Sequence, residues 1–143
     1  MKARIKRFDK KLPLPKYHTD GAAAFDLSAR EAVEIPPKEV RLVPLNVAIE
    51  TPPGHFLLVA ARSSTHKKGL ILANGIGIGD PDFSGDNDEY HAAYLNFTDK
   101  PVVVEKGERI AQAMFVQFVK ADWEEVERMD KKTRGGFGST GTA

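Results

Sequence analysis

Residues 40–60 read VRLVPLNVAIETPPGHFLLVA, and they hold two apolar runs separated by Pro52, Pro53 and Gly54. The first run, residues 40–49, is rich in valine, leucine and isoleucine. The second, residues 56–60, is continuously apolar, which is typical of a strand covered on both faces. Short apolar runs that end at proline and glycine predict β-strands joined by turns.

The same pattern extends outward in both directions. Twelve glycines and nine prolines divide the 143 residues into short pieces, which argues against long helices. Further strands are predicted at residues 3–8, 33–35, 90–97, 102–105 and 110–119, and at most one helical turn at residues 123–129. Many short strands between turns favour an all-β sandwich, barrel or jelly roll in a single domain.

Composition excludes several classes of function. The chain has 21 basic and 20 acidic residues, a formal net charge of +1 and no cysteine. A balanced charge gives no field that would attract nucleic acid or an anionic membrane. Without cysteine there is no disulfide framework, thiolate zinc site or thiol nucleophile. No apolar segment reaches membrane-spanning length, and none follows the basic N-terminus as a secretory signal would require. We therefore expect a soluble cytoplasmic protein.

Two segments in the first half of the chain carry candidate chemistry. In GAAAFDLSA (residues 21–29), Asp26 lies between Phe25 and Leu27. Such a carboxylate is most often a turn or cap residue, and the alternative is a ligand to metal-bound water. In ARSSTHKKGL (residues 61–70), Arg62, Ser63 and the lysines could donate to phosphate oxygens, although a solvated basic turn explains them equally well.

The segment NGIGIGDPDFSGDNDEYHAAYLNF, residues 74–97, has glycine at every second position of an apparent strand. Glycine weakens a core strand but lets a backbone approach a flat ligand closely. The string lacks the spacing and strand–helix context of a dinucleotide loop. Its acidic residues do not match a calcium loop either, so a solvated acidic turn is expected around Asp86, Asp88 and Glu89.

The remaining candidates are weaker when each is taken alone. Gln112 lies in a strand-like pattern within KGERIAQAMF, residues 106–115. The tail RGGFGSTGTA is either a frayed end or an arm that orders over a phosphate ligand. The four histidines show no ligand spacing and are expected at the surface, so covalent nucleophilic catalysis is not indicated.

In this order, the five segments resemble the five motifs of the trimeric dUTP diphosphatase family over nearly the whole chain. The resemblance implies a jelly-roll-like distorted β-barrel over residues 1–130 and a flexible glycine-rich arm over residues 131–143. It also implies a homotrimer with shared active sites, Mg²⁺ as cofactor, and hydrolysis of dUTP to dUMP and pyrophosphate. Such an enzyme keeps uracil out of DNA and supplies dUMP for thymidylate synthesis.

The resemblance also implies roles for individual residues. Asp80 matches the residue that orients and deprotonates the attacking water. Asp26 and Gln112 match residues that hold magnesium through water. The substrate-binding positions are Arg62, Ser63 and Ser64 at the phosphates; Asn74, Gly77 and Phe83 at the uracil and deoxyribose; and Arg134, Phe137, Gly138, Ser139 and Thr140 in the arm, where Phe137 covers the uracil and the hydroxyls meet the γ-phosphate.

The chain departs from the family pattern at several places. Phe83 stands where tyrosine is usual, and sugar selection is expected to survive because the ring remains. Gly79 replaces an isoleucine and is expected to loosen the pocket. Residues 86–88 are an insertion, which we place in a turn. The arm's arginine is displaced, so Arg134 and Lys132 both remain candidates for the γ-phosphate.

Three alternatives remain beside dUTP hydrolysis. One is a related dCTP deaminase, which shares the fold and the strings R-S-S and D-P-x-F-x-G. Deaminases carry a glutamate three residues before an asparagine, and counting back from Asn96 gives Ala93 instead. The others are a hydrolase of another deoxynucleoside triphosphate and a non-catalytic nucleotide-binding regulator, and the intact Asp80, Asp26 and Arg62 argue against the regulator.

Overall fold

The computed structural model describes residues 1–141, which form eleven β-strands and a single turn of 3₁₀ helix. The strands are β1 (Arg4–Arg7), β2 (Phe25–Ser28), β3 (Val33–Ile35), β4 (Val40–Pro44), β5 (Val47–Glu50), β6 (His55–Ala60), β7 (Leu70–Leu72), β8 (Gly77–Gly79), β9 (His91–Asn96), β10 (Val102–Val104) and β11 (Arg109–Gln117). The 3₁₀ turn, Thr65–Lys68, lies between β6 and β7. The part of the chain so described contains no helix that could span a membrane.

Hydrogen bonds join these strands into four antiparallel sheets. The largest has the order β2-β11-β6-β8, and the next has the order β4-β9-β7. Strand β1 pairs with β5, and β10 pairs with β3. The predicted all-β class is therefore confirmed. The strands of residues 1–141 surround one apolar core, but they form separate sheets rather than one closed ring of hydrogen bonds.

Alternation along the strands decides which side chains reach the core. In β2, Phe25 and Leu27 are buried while Asp26 is only partly buried. In β11, Ala111 and Ala113 are buried while Gln112 between them is partly exposed. Because successive side chains point to opposite faces of a strand, Asp26 and Gln112 lie on the face turned away from the core.

The apolar run at residues 40–49 forms two strands rather than one. Asn46 separates β4 from β5 with a positive φ of 70°. Its buried side chain accepts a hydrogen bond from the Asp9 N–H (2.6 Å) and donates one to the Asp9 carbonyl (3.1 Å). Asparagine tolerates the left-handed region, and these two bonds to Asp9, a residue 37 positions away, hold the bend in place.

One other local prediction was wrong, and one helical turn that the sequence allowed does not form. Strand β6 is covered on one face only, since Leu57 and Val59 are buried while Phe56, Leu58 and Ala60 remain half-exposed. Residues 123–129 form no helical turn: they have no regular structure, and Trp123 is 94% exposed. A short segment without packing partners cannot offset the cost of nucleating a helix.

Candidate active site

Asp26 and Gln112 are direct neighbours on adjacent strands. Residue 112 pairs with residue 26 across β11 and β2, and with Ala60 across β11 and β6. The Gln112 amide nitrogen donates to the Ala61 carbonyl oxygen at 2.9 Å. That bond leaves the amide oxygen as the free acceptor of Gln112, beside the Asp26 carboxylate.

Three basic side chains surround the Asp26 carboxylate, which is 16% exposed. Arg62 Nε lies 3.3 Å from Oδ1, and Arg109 Nη1 lies 3.1 Å from Oδ2. His18 Nε2 lies 3.6 Å from Oδ2 and 3.0 Å from Arg109 Nη1. We call these residues, with Gln112, the Asp26 cluster. Two arginines against one carboxylate leave a net positive charge, which suits an anionic ligand such as a phosphate chain.

The loop after β6 holds Arg62 in this position. The Arg62 N–H donates to Thr65 Oγ1 (3.0 Å), and the Thr65 N–H donates to the Arg62 carbonyl oxygen (3.1 Å). Thr65 is buried, whereas Ser63 and Ser64 are exposed. Ser64 precedes the 3₁₀ turn without a capping bond from its side chain, so its hydroxyl can bind a ligand. The predicted phosphate-binding residues thus share one rim.

The donors in this region fit a weakly held magnesium ion. Within residues 1–141 no three acidic, histidine or cysteine side chains converge on one point. Magnesium does not need such a cage, because it retains waters and is commonly held by one or two carboxylates and the substrate phosphates. The Asp26 carboxylate and the Gln112 amide oxygen are the oxygen donors available for those waters.

A second group of predicted residues surrounds a cavity of about 320 Å³ beside β8, which we call the hairpin cavity. Its lining includes Asn74, Gly77, Asp80 and Phe83, as the resemblance implies. A Cβ at position 77 would lie 3.2 Å from the Val59 Cβ, so glycine allows β8 to pack closely on β6. Asp80 follows β8 immediately, is exposed, and has no ion-pair partner among the residues described.

Gly79 does not loosen this cavity, contrary to the expectation from sequence. The Tyr90 side chain fills the space next to it: a Cβ on residue 79 would clash with the hydroxyl and lie 2.6 Å from Cε1 of the ring. The Tyr90 ring also packs edge-on against Phe83, with 5.1 Å between centroids. The space left by the missing side chain at position 79 is therefore filled by Tyr90, the residue immediately before β9.

The insertion at residues 86–88 lies in a turn, as predicted, and it does not line the hairpin cavity. Lys6 Nζ binds Asp86 Oδ1 at 2.9 Å, and the Gly85 N–H donates to Asp88 Oδ2 at 2.8 Å. Glu89, however, is not part of a solvated acidic turn. It is buried and takes two bonds from Arg30, from Nε at 2.7 Å and Nη2 at 3.1 Å. This pairing raises the pKa of Arg30.

The Asp26 cluster and the hairpin cavity lie at opposite edges of the four-stranded sheet. Strand β2 carries Asp26, Asp80 follows β8, and strands β11 and β6 separate them. Three strand spacings of about 4.8 Å separate their backbones by about 14 Å, measured along the sheet. The cavity lined by Asp26 and Arg109 and the hairpin cavity share no lining residue.

Arm residues 131–141 form no hydrogen bond or ion pair with either group. Residues 118–141 form no strand, and Phe137 is fully exposed with a φ of 51°. The Gly136 N–H donates to Ser139 Oγ at 2.8 Å, and the Ser139 N–H donates to the Gly136 carbonyl oxygen, so the arm closes a local turn. Arg134, Lys132, Gly138 and Thr140 are likewise exposed.

Sequence reasoning missed Arg109, His18, Tyr90 and the pairing of Glu89. Alternation would not have found Arg109, because it lies three residues before Gln112 and strict alternation turns it to the opposite face; the register shift between Arg109 and Ala111 brings it to Asp26. His18 and Tyr90 had no sequence signal either. Each lies far along the chain from its partner, and only the folded chain brings them together.

Comparisons with known proteins identify the family of this chain. The dUTPase family model matches residues 10–141. A deoxyuridine 5'-triphosphate nucleotidohydrolase of Dictyoglomus turgidum is 40% identical over 144 residues, covering 96% of both chains. One from Lactococcus lactis is 39% identical over 132 residues, covering 90% of this chain and 87% of the relative.

A solved structure of similar fold is the dUTPase from Streptococcus mutans, with a TM-score of 0.76 and 35% identity. It covers 83% of this chain, and 98% of its own chain is matched. The family model spans nearly the whole chain, and both curated relatives are at least 39% identical to it over most of their length. The chain therefore belongs to the dUTPase family, and the expectation of a dUTP diphosphatase is confirmed at the level of that family.

Proposed function

We propose that this protein hydrolyses dUTP to dUMP and pyrophosphate by attack of water on the α-phosphorus. The observation that carries the proposal is the hairpin cavity. Gly77 and Gly79 contribute to its lining, and so does Asp80, an exposed carboxylate with no ion pair among residues 1–141. The family assignment supports dUTP as the substrate.

The hairpin cavity suits a flat pyrimidine. Backbone groups of residues 77–79 and the Asn74 side chain can bind the polar edge of uracil. Phe83 offers a ring against the deoxyribose, where a 2′-hydroxyl would be crowded. Selection in this half of the site is mainly steric.

The Asp26 cluster suits the triphosphate. Arg62, Ser63 and Ser64 supply donors for phosphate oxygens, and Arg109 keeps the local charge positive. Asp26 and Gln112 would hold Mg²⁺ through water, and the ion would neutralise phosphate charge and fix its geometry. The arm, with Arg134 or Lys132, Phe137, Gly138, Ser139 and Thr140, would close over the bound nucleotide.

Asp80 is the general base of the proposed reaction. It accepts a proton from water as the water oxygen bonds to the α-phosphorus. The bond from that phosphorus to the α–β bridging oxygen breaks, and pyrophosphate leaves with the bridging oxygen and its electron pair. A positioned base of this kind contributes about 10²- to 10⁴-fold in rate.

We further propose that the active site is completed in a homotrimer. Asp26 and Asp80 lie at opposite edges of one sheet, and arm residues 131–141 are exposed and bonded to neither of them. The outer face of β4-β9-β7 also leaves Val40, Leu42 and Ile71 exposed, an apolar surface suited to burial between copies. In a cell such an enzyme would act in the cytoplasm, limiting uracil in DNA and supplying dUMP.

A substrate panel tests the proposal. Purified protein with Mg²⁺ is given dUTP, dCTP, dTTP and UTP, and release of pyrophosphate and of ammonia is followed in parallel. We expect pyrophosphate from dUTP alone. Ammonia from dCTP would establish a deaminase, despite Ala93 at the position where that reaction needs an acid. Pyrophosphate from another nucleotide would identify a different substrate, and no turnover of any would favour a binding protein.

A further inference from the structure

Tyr90 occupies the space that a side chain at position 79 would fill. Its ring and hydroxyl lie against Gly79, where a Cβ would be 2.6 Å from Cε1 and 2.7 Å from Cζ. No L-residue with a side chain fits at position 79 while this ring stays in place. Residues 79 and 90 therefore share one space, and only one of them can fill it.

The same ring forms part of the wall of the hairpin cavity. Tyr90 lines it together with Asn74, Asp80 and Phe83. The residue is 5% exposed and packs edge-on against Phe83, so its position is fixed on both sides. Glu89, the preceding residue, is held by Arg30 and accepts a bond from the Asn46 N–H at 2.9 Å. These bonds hold the backbone next to Tyr90 in place, and this segment lies outside strand β8.

The Tyr90 hydroxyl gives no sign of a hydrogen-bonding role in the folded chain. The oxygen is buried and has no partner within residues 1–141. Burial, with the nearby Asp80 and Asp88 carboxylates, raises the pKa of Tyr90 to about 12, so the phenol stays neutral. An unpartnered buried hydroxyl does not stabilise the fold, and its size is what it contributes at this position.

We propose that Tyr90 is a specificity-determining residue, whose ring limits the base cavity to uracil in place of a side chain at position 79. The inference rests on the proposed function and names the residue that sets its base selectivity. Removing the ring would leave room for a 5-methyl group, so thymine would be accepted. Restoring bulk from position 79 would close the cavity again.

The test is a cycle of Tyr90→Leu, Gly79→Ile and the double variant, with Tyr90→Phe as the matched control. For each folded protein, kcat/KM is measured with dUTP and dTTP, and Kd for dUMP and dTMP by calorimetry. Tyr90→Leu should lower the preference for uracil at least about tenfold, the scale of a methyl-sized change in a hydrophobic pocket. In the double variant, the preference for uracil over thymine nucleotides should return to within about threefold of the wild-type value. In Tyr90→Phe, this preference should also lie within about threefold of wild type.

Several outcomes would overturn the inference. A folded Tyr90→Leu protein with wild-type preference would show that the ring is no barrier. A loss in Tyr90→Phe equal to that in Tyr90→Leu would transfer the role to the hydroxyl. If Tyr90→Leu does not fold, the double variant decides. A folded double variant that still prefers uracil supports the inference that residues 79 and 90 share one space, and a folded double variant without that preference contradicts it. A wild-type protein inactive on dUTP would instead defeat the proposed function.

Discussion

The Asp26 cluster and the hairpin cavity are built on opposite principles. In the cluster, one carboxylate is in contact with two arginines and a histidine, and the arrangement is electrostatic. In the cavity, the Asp80 carboxylate is exposed without an ion pair, and glycines and aromatic rings define the space. Both lie on one four-stranded sheet, at its two edges.

This difference indicates which property the Asp26 cluster and the hairpin cavity must each retain for the proposed function. A triphosphate requires positive charge and donors, and charged side chains on an outward face supply them with modest demands on exact shape. A uracil differs from a thymine by one methyl group, so its recognition requires a wall fixed by packing. In the proposed reaction, the Asp80 carboxylate of the hairpin cavity must stay ionised and unpaired to accept a proton.

The largest predicted effect comes from neutralising the two carboxylates separately. Asp80→Asn should lower kcat at least about 10²-fold, because the proposed base is lost, while the free energy of unfolding stays unchanged. Asp26→Asn should also lower the free energy of unfolding, by about 1–3 kcal/mol, because Arg62 and Arg109 lose a charged partner. Steady-state kinetics and urea denaturation measure both quantities.

Nucleotide binding is the control for this pair. Asp80→Asn should bind a non-hydrolysable dUTP analogue as wild type does. Unchanged turnover in Asp80→Asn would remove this residue from the role of base. Equal losses of stability in the two variants would contradict the contrast between a paired and an unpaired carboxylate.

A smaller effect is predicted for removing the arm. Its described residues, 131–141, are bonded neither to the Asp26 cluster nor to the hairpin cavity. Truncation before Arg134 should lower kcat/KM for dUTP at least about tenfold, since several donors to the phosphates are lost. The melting temperature and the oligomeric state should not change, because the removed side chains that the structure describes are exposed.

Two point variants refine that experiment. Lys132→Ala and Arg134→Ala, made separately in the full chain, show which cation serves the γ-phosphate, because only that one should raise KM. Loss of the folded state on truncation would mean that the arm contributes to stability after all.

The smallest predicted effect is a fall in the free energy of unfolding at high pH, caused by Tyr90 in the wall of the hairpin cavity. The pKa of Tyr90 in the cavity wall is raised to about 12, from an ordinary value of 10, mainly by burial. Below pH 10 the phenol is protonated in both folded and unfolded chains, and its contribution to stability is complete. Above pH 10 only the unfolded chain ionises, so stability falls by about 1.4 kcal/mol per pH unit up to about pH 12.

Tyr90→Phe removes this loss at one site. The difference in unfolding free energy between wild type and Tyr90→Phe should therefore grow in favour of the variant from pH 9 to pH 11. Urea denaturation at both pH values measures it. Tyr94→Phe is the comparison in the core, since burial raises the pKa of Tyr94 to about 12 as well. A constant difference would show that Tyr90 ionises equally in both states.

Several strands were predictable because their local signals agree. The residues of β3, β6, β9, β10 and β11 are short apolar or alternating runs bounded by turn residues. The bend at Asn46 was hidden, because an apolar run does not reveal a left-handed residue within it. Strand β2 was concealed as well, since Asp26 between Phe25 and Leu27 has the composition of a turn but the position of a strand.

The sequence by itself determined the fold class, the order of the five motifs and the residue types available for each role. Those properties are local, and a spacing or a turn signal carries them. The tertiary structure alone decided that Arg109 and His18 face Asp26, that Glu89 pairs with Arg30, and that Tyr90 fills the space beside Gly79. These contacts join residues distant along the chain, and their energies come from charge pairing and steric fit that exist only once the strands have paired.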